Sequence, residues 1–305
     1  MTEELHSIDG TFIDLSAHIK LRVAGNDRLR FLNGQITADI RKAGISNSIQ
    51  ACLLDAKGRM TAHVSILATL DSFLLDADPE LGEILQSRLE RYIIADDVSV
   101  EDVSNRWSIF HLIGETAPTS PDATWIVSAR RFARPGWDIW VEALHREKIL
   151  EQLSAGSSFC DSNCTEVLRI EQGIPRWGRE LTNEIIPIEA NLEENCIDYD
   201  KGCYVGQEVI SRMKMSGQRN KKLCGLISIE HASLTPGMRL LGTPAKDKEA
   251  GWITSAGRSA RLGKEIALGF VKRGFNSAGT TLETAPPPDQ LEGVRVEVVD
   301  LPFIN

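Results

Sequence analysis

At 305 residues the chain is long enough for two or three domains, and its 42% hydrophobic and 25% charged residues are those of a globular protein with a core. Thirty-four basic against 43 acidic side chains leave a formal charge of −9, which excludes a broad cationic surface tracking a nucleic-acid backbone. Apolar stretches such as Ile66–Leu70 fall far short of the roughly 20 residues a spanning helix needs, and the acidic start Met1-Thr2-Glu3-Glu4-Leu5 lacks the apolar core of a secretory signal, so a cytoplasmic protein without a membrane span is expected.

In chain order, Leu21–Ala24 alternates as a short strand that ends at Gly25, after which Asn26-Asp27 is placed to cap a helix carrying Leu29, Phe31, Leu32 and Ile36. Ala51–Leu54, the turn Asp55-Ala56-Lys57-Gly58 and Met60–Leu70 predict a β-hairpin, and Ser72–Asp76 a third strand. Pro79 opens a predicted helix reaching about Ile94, followed by strands over Val98–Val103 and Trp107–Ile113. Glu115–Ala123 reads as a loop and Trp137–Val141 as a strand whose tryptophans belong to the core or a pocket wall. Helices follow near His145–Leu153 and Ser162–Gln172. This mixture predicts an α+β region with a mainly antiparallel sheet over residues 1–222, two interleaved subdomains with one around residues 50–115. Beyond it, short strands at Leu223–Ile229, Met238–Leu241, Gly251–Ala256, Ile266–Val271 and Val294–Val299 predict a small β-barrel over residues 223–305.

Six cysteines, Cys52, Cys160, Cys164, Cys196, Cys203 and Cys224, are scattered without a Cys-x-x-Cys pair or a His cluster, so reduced thiols and no metal site are expected. Around Cys160 and Cys164 the sequence predicts a helix start, with Asp161 or Ser162 as N-cap.

The chemistry concentrates between Leu168 and Arg219. Arg169-Ile170-Glu171 closes a helix that Gly173 ends. Glu171 reads either as a carboxylate that accepts two parallel N–H bonds from an aminopyrimidine edge or as an ordinary surface salt bridge. In Lys201-Gly202-Cys203-Tyr204-Val205-Gly206-Gln207-Glu208 the two glycines imply a tight turn into a helix. Cys203, near that helix and two residues from Lys201, is either a reactive thiol of depressed pKa or a small buried apolar side chain. Arg212, Lys214, Arg219, Lys221 and Lys222 form a basic stretch fit to receive an anionic tail or to stand as a solvated face.

The segment Lys201–Glu208, with Arg212, resembles the signature of the YgfZ family, folate-binding relatives of the glycine-cleavage T-protein. The resemblance extends over Gly25–Ile40, Leu54–Arg59, Arg169–Gly173, Gly251–Ser255, Leu262-Gly263 and Ile266–Gly269. It implies a T-protein-like arrangement of three subdomains around a central folate channel. It also implies a tetrahydrofolate-binding accessory factor for assembly or repair of iron–sulfur clusters, which supports tRNA modification indirectly. The implied partners are iron–sulfur client enzymes or cluster-assembly proteins, with no direct nucleic-acid binding. Cys203 then becomes the candidate functional thiol with Lys201, the signature positions are Gly202, Tyr204, Gly206, Gln207, Glu208 and Arg212, and Glu171, Asp39 and Arg169 are the folate-binding candidates. Aminomethyltransferases carry an acidic pair after the Gly58 turn where this chain has Ala62 and His63, and loss of a carboxylate base removes roughly 10²–10⁴-fold of rate. Aminomethyl transfer is therefore not expected. At positions where some members place tryptophans against folate, the chain has His18 and Thr165.

Overall fold

The computed structural model describes residues 8–242, 248–286 and 293–304; the acidic start Met1–Leu5 lies outside them. The first part of the chain runs β1 (Thr11–Asp14), β2 (Ile19–Ala24), α1 (Arg28–Gln35), β3 (Ile49–Leu54), β4 (Met60–Ala68), β5 (Ser72–Ala77), α2 (Gly82–Glu90) and β6 (Ser99–Asp102). It continues through β7 (Trp107–Ile113), β8 (Trp125–Ala129), β9 (Gly136–Glu142), α3 (Arg146–Ser154), β10 (Ser158–Phe159) and α4 (Ser162–Glu171). An irregular stretch with the short α5 (Glu193–Cys196) leads to α6 (Gln207–Ser216). The last strands are β11 (Lys221–Ser228), β12 (Arg239–Gly242), β13 (Glu249–Ser259), β14 (Lys264–Lys272), β15 (Thr281–Thr284) and β16 (Arg295–Val299).

These strands make three sheets. One is antiparallel throughout, in the order β3-β4-β5-β2-β6; a second has the order β10-β1-β7-β9-β8, with only β1 and β10 parallel; the third is a closed six-stranded barrel, β11-β14-β13-β12-β15-β16. The fold is thus α+β with a C-terminal barrel. The stretch around residues 50–115 is divided between the first two sheets, because β7 pairs with β1 and β9. The first sheet packs Leu21, Leu53 and Leu75 against Leu32 of α1 and Leu85 and Leu89 of α2. The barrel encloses Leu226, Leu240, Ile253, Leu282 and Val296. A further core joins the β3–β4 hairpin to the irregular stretch and the barrel wall through Leu54, Met60, Ile188, Tyr204, Ile210 and Leu268.

The predicted hairpin forms because Asp55 organises its turn: Oδ1 accepts from the N–H groups of Lys57 and Arg59, and Gly58 supplies φ +74°. Asp161 is the N-cap of α4, accepting from the Cys164 amide at 2.8 Å. Asp27 stands at the α1 cap position, but its carboxylate accepts from the Asp97 amide instead of capping the helix. Pro79 begins a separate 3-10 turn, Pro79–Leu81, and α2 ends at Glu90, short of the expected Ile94. The expectation that all six cysteines are reduced is corrected at one pair. Cys160 and Cys164 form a disulfide, since the N-terminal turn of α4 brings their Cα atoms to 5.3 Å, within bridging range.

Candidate functional site

The signature segment is fastened along α1 and the irregular stretch that follows it. The amide of Val205 donates to the Gly34 carbonyl and that of Asp198 to the Thr37 carbonyl. Lys201 is buried, and its Nζ donates to the carbonyls of Asn33, Ile36 and Ala38, each at 2.7 Å. These carbonyls lie at and beyond the α1 C-terminus, where the helix leaves acceptors unsatisfied. Burial lowers the Lys201 pKa to about 8, against the pull of Asp39 and Asp198. The ammonium is therefore turned inward as a clamp, and adjacency in sequence does not place it on the Cys203 thiol.

Cys203 itself is exposed, which removes the buried-apolar alternative. It sits in a shallow depression with Leu29, Arg30, Asn33, Gly34 and Arg41. Tyr204 is buried, its hydroxyl pushed up to about 12 by desolvation. Gly206 caps α6 at φ +84°, and a Cβ there would lie 2.6 Å from the Asp55 carbonyl oxygen. The hairpin turn and the signature turn thus interlock, and only glycine fits the contact. Gln207 and Glu208 open α6, and Glu208 pairs with Arg212 one turn on, both largely exposed. That pair is a solvated face. Gly202 lies beside Cys203 in the same depression.

Asp39 connects this depression to the interior. Its carboxylate accepts from Arg41 through Nε and Nη2, and these hydrogen bonds hold its pKa down at about 2. Arg41 lines the Cys203 depression, whereas Asp39 lines a cavity of about 360 Å³ on the other side. That cavity shares Gln50, Arg130, Arg131, Glu194 and Asn195 with a neighbour of about 430 Å³, reaching His63, Gly173, Arg219, Lys222 and Leu301. Together they form one continuous open cleft, the channel, lined by the first two sheets, the irregular stretch and the C-terminal end of the chain.

A buried ionic network braces the channel wall. Arg131 makes paired hydrogen bonds to Asp76 on β5 and to Asp138 on β9, joining the two sheets. His18 Nδ1 meets Asp76 at 3.0 Å and His111 Nδ1 meets Asp138 at 2.8 Å. Burial opposes the charge on both aspartates, yet the Arg131 guanidinium and these hydrogen bonds hold their carboxyls below the usual range. His63 lies in the same wall, its pKa lowered by burial, 3.5 Å from the Cys196 sulfur. The neighbouring Cys52 thiol and burial push Cys196 well up, so this pair is a neutral thiol against a neutral imidazole.

The structure does not bring the other two folate candidates onto the channel. Arg169 is buried behind it, donating to the carbonyl of the wall residue Ile174 and to Glu166 and Glu180. Glu171 faces the barrel, accepting from Ser259 Oγ at 2.5 Å and Arg261 Nη1 at 3.3 Å. It is a buried carboxylate with internal partners, neither a surface bridge nor a channel group. Sequence reasoning passed over Glu180, Asp76, Asp138 and Arg131. The signal was present for two of them: a carboxylate inside an apolar run, as Asp76 in Ser72–Ala77 and Asp138 in Gly136–Glu142, is costly unless paired.

Residues 221–305 match the family described as the glycine cleavage T-protein C-terminal barrel domain. Over 72% of its length the chain is 32% identical to an aminomethyltransferase of Aquifex aeolicus, of which the match spans 58%. It is 27% identical to the tRNA-modifying protein YgfZ of Pectobacterium atrosepticum, over 70% of this chain and 69% of that one. It is 23% identical to the mitochondrial iron–sulfur cluster assembly factor IBA57 homologue of Dictyostelium discoideum, over 76% and 67%. The glycine cleavage aminomethyltransferase of Bartonella henselae superposes with a TM-score of 0.83 at 18% identity, covering 96% of this chain and 86% of that one, which fixes the fold as T-protein-like. The chain is thus similar in sequence to both YgfZ proteins and aminomethyltransferases, and it shares the T-protein fold. The segment that resembles the YgfZ signature is the one clamped by Lys201, and the matched C-terminal region supplies Lys222, Leu301 and Pro302 to the channel. Among the described residues no helix is long and apolar enough to cross a membrane, and no three His, Cys, Asp or Glu side chains converge as metal ligands.

Proposed function

We propose that the chain is a tetrahydrofolate-binding accessory factor for assembly or repair of iron–sulfur clusters, with folate in the central channel and Cys203 as the thiol presented to clients. The observation that carries this reading is the donor set of the channel. Arg130, Arg219 and Lys222 suit a glutamyl carboxylate, and Glu194, Gln50 and Asn195 supply acceptors and donors for a heteroaromatic edge. The relatives whose names state iron–sulfur assembly and tRNA modification support the client class. One thiol cannot hold a cluster that ordinarily needs four thiolates, so Cys203 acts transiently. Support for tRNA modification is then indirect, through cluster-containing enzymes.

Titration with tetrahydrofolate tests the channel. Arg130→Ala is expected to weaken binding at least about tenfold by removing a charge-assisted contact, while Glu171→Gln leaves it unchanged. An effect confined to Glu171→Gln would move folate to the groove between α4 and the barrel. Complementation of a deletion strain tests the thiol: Cys203→Ala should lower the activity of cluster-dependent enzymes with the fold intact. Wild-type client activity in that strain would overturn the role assigned to Cys203.

A second reading, a folate-dependent one-carbon transferase or demethylase, is favoured by His63, a neutral imidazole in the channel wall able to accept a proton. Asp39 is held ionised at the rim by Arg41 and is the weaker base.

A further inference from the structure

The disulfide between Cys160 and Cys164 has no part in the folate channel or in the display of Cys203. We propose that this pair, with the groove beside it, is a thiol–disulfide exchange site for a small carboxylate-bearing thiol. The two sulfurs are unequally placed: Cys164 lies on an exposed residue of the first turn of α4, whereas Cys160 is 2% exposed. An incoming thiolate therefore meets the Cys164 sulfur. The leaving sulfur is Cys160, positioned for that role. It directly precedes the N-cap of the ten-residue α4, and the Thr165 hydroxyl, 3.3 Å from the Cys160 carbonyl oxygen, also lies 3.6 Å from its sulfur and can turn to donate to a thiolate there. A helix N-terminus and a donor both stabilise a thiolate and make it a better leaving group.

The groove of about 590 Å³ beside Cys164 supplies the specificity. Val167, Leu168 and Ala256 give it an apolar floor, and Arg258 and Arg261 stand at its rim. Its carboxylates are already engaged: Glu166 by Arg169, and Glu171 by Ser259 and Arg261. Donor capacity is left over, since Arg261 Nε is buried without a hydrogen-bond partner. Arg258 gives its Nη1 to Glu265 and Arg261 Nε is left over, so a groove with this donor capacity and satisfied carboxylates takes an acceptor-rich ligand.

The exchange balances in two steps. The thiolate of a first small thiol forms a bond to the Cys164 sulfur as the Cys160–Cys164 bond breaks, and Cys160 leaves as a thiolate that takes a proton from water. A second small thiolate attacks the outer sulfur of this mixed disulfide, releasing the oxidised small-molecule disulfide and the Cys164 thiolate. Two electrons pass from two small thiols to the protein, and the reverse sequence re-forms the protein disulfide.

The test uses the full chain, purified without reductant, with alkylation and mass spectrometry as the readout. The disulfide should be present at isolation. Oxidised glutathione should modify Cys164 in Cys160→Ser at least tenfold faster than it modifies Cys160 in Cys164→Ser, with Cys203 as internal reference in both. Reduction of the wild-type disulfide by glutathione should slow at least fivefold in Arg258→Ala/Arg261→Ala, relative to reduction by uncharged 2-mercaptoethanol in the same protein. Should the double variant not fold, Arg258→Ala alone gives the same comparison. Equal reactivity of the two cysteines, an unchanged ratio between the two reductants, or isolation of the pair as free thiols would each overturn the proposal.

Discussion

Replacement of Arg131 by Met is expected to destabilise the protein by roughly 3–5 kcal/mol, the cost of leaving buried charges without their partner. Arg131 is the only cation among the described residues that makes direct hydrogen bonds to both Asp76 and Asp138, so its loss leaves two buried carboxylates hydrogen-bonded to His18 and His111, with the buried Lys20 ammonium near Asp76. The same network sets the acid limb of stability. Both aspartates have folded-state pKa values below their unfolded ones, so their stabilisation is complete above about pH 4 and is lost as the pH falls through the depressed values. Urea unfolding from pH 7 down to pH 2.5 should show this steep loss in the wild type and a shallower slope in Arg131→Met. A variant within 1 kcal/mol of wild type at pH 7 would show that the two sheets are held together elsewhere.

Lys201→Met should cost at least about 3 kcal/mol, because three carbonyls lose one shared donor while the aliphatic stem is kept. Cys203→Ala, two residues away and exposed, should change stability by less than about 0.5 kcal/mol. Denaturant midpoints of the two variants separate the roles within one motif: the lysine holds the segment and the cysteine is displayed by it. Unchanged stability of Lys201→Met with lost client activity would instead make its ammonium a working group.

Sequence reading reached the local elements that carry their own signals. The β3–β4 hairpin was legible from alternation on both sides of Asp55–Gly58, and α4 from its Asp161 cap. The short strands β1, β8, β10 and β15 were not, since segments such as Ser158–Phe159 have too few residues for a period and are strands only through distant partners. The signature was legible as a motif, but the direction of Lys201 was not. Its acceptors lie more than 160 residues away, and chain proximity to Cys203 suggested an electrostatic role in place of a structural one. The channel wall had the same obstacle: His18, His63, Asp76, Arg131 and Asp138 come from separate strands and loops and acquire meaning only once two sheets are stacked.

The position of β1 has a consequence for biosynthesis. Phe12 pairs with Leu112 on one side and with Phe159 on the other, so the strand leaves the ribosome about a hundred residues before its first neighbour exists. The sheet built from residues 19–102 has all its strands by then and can close beforehand. The nascent chain therefore carries an unpaired strand with Phe12 and Ile13 in it while one sheet is already formed, a state in which unpaired edges invite wrong pairing. Translation speed across residues 100–160 should consequently govern the yield of native protein more than speed across the barrel, whose strands meet their partners within a much shorter window.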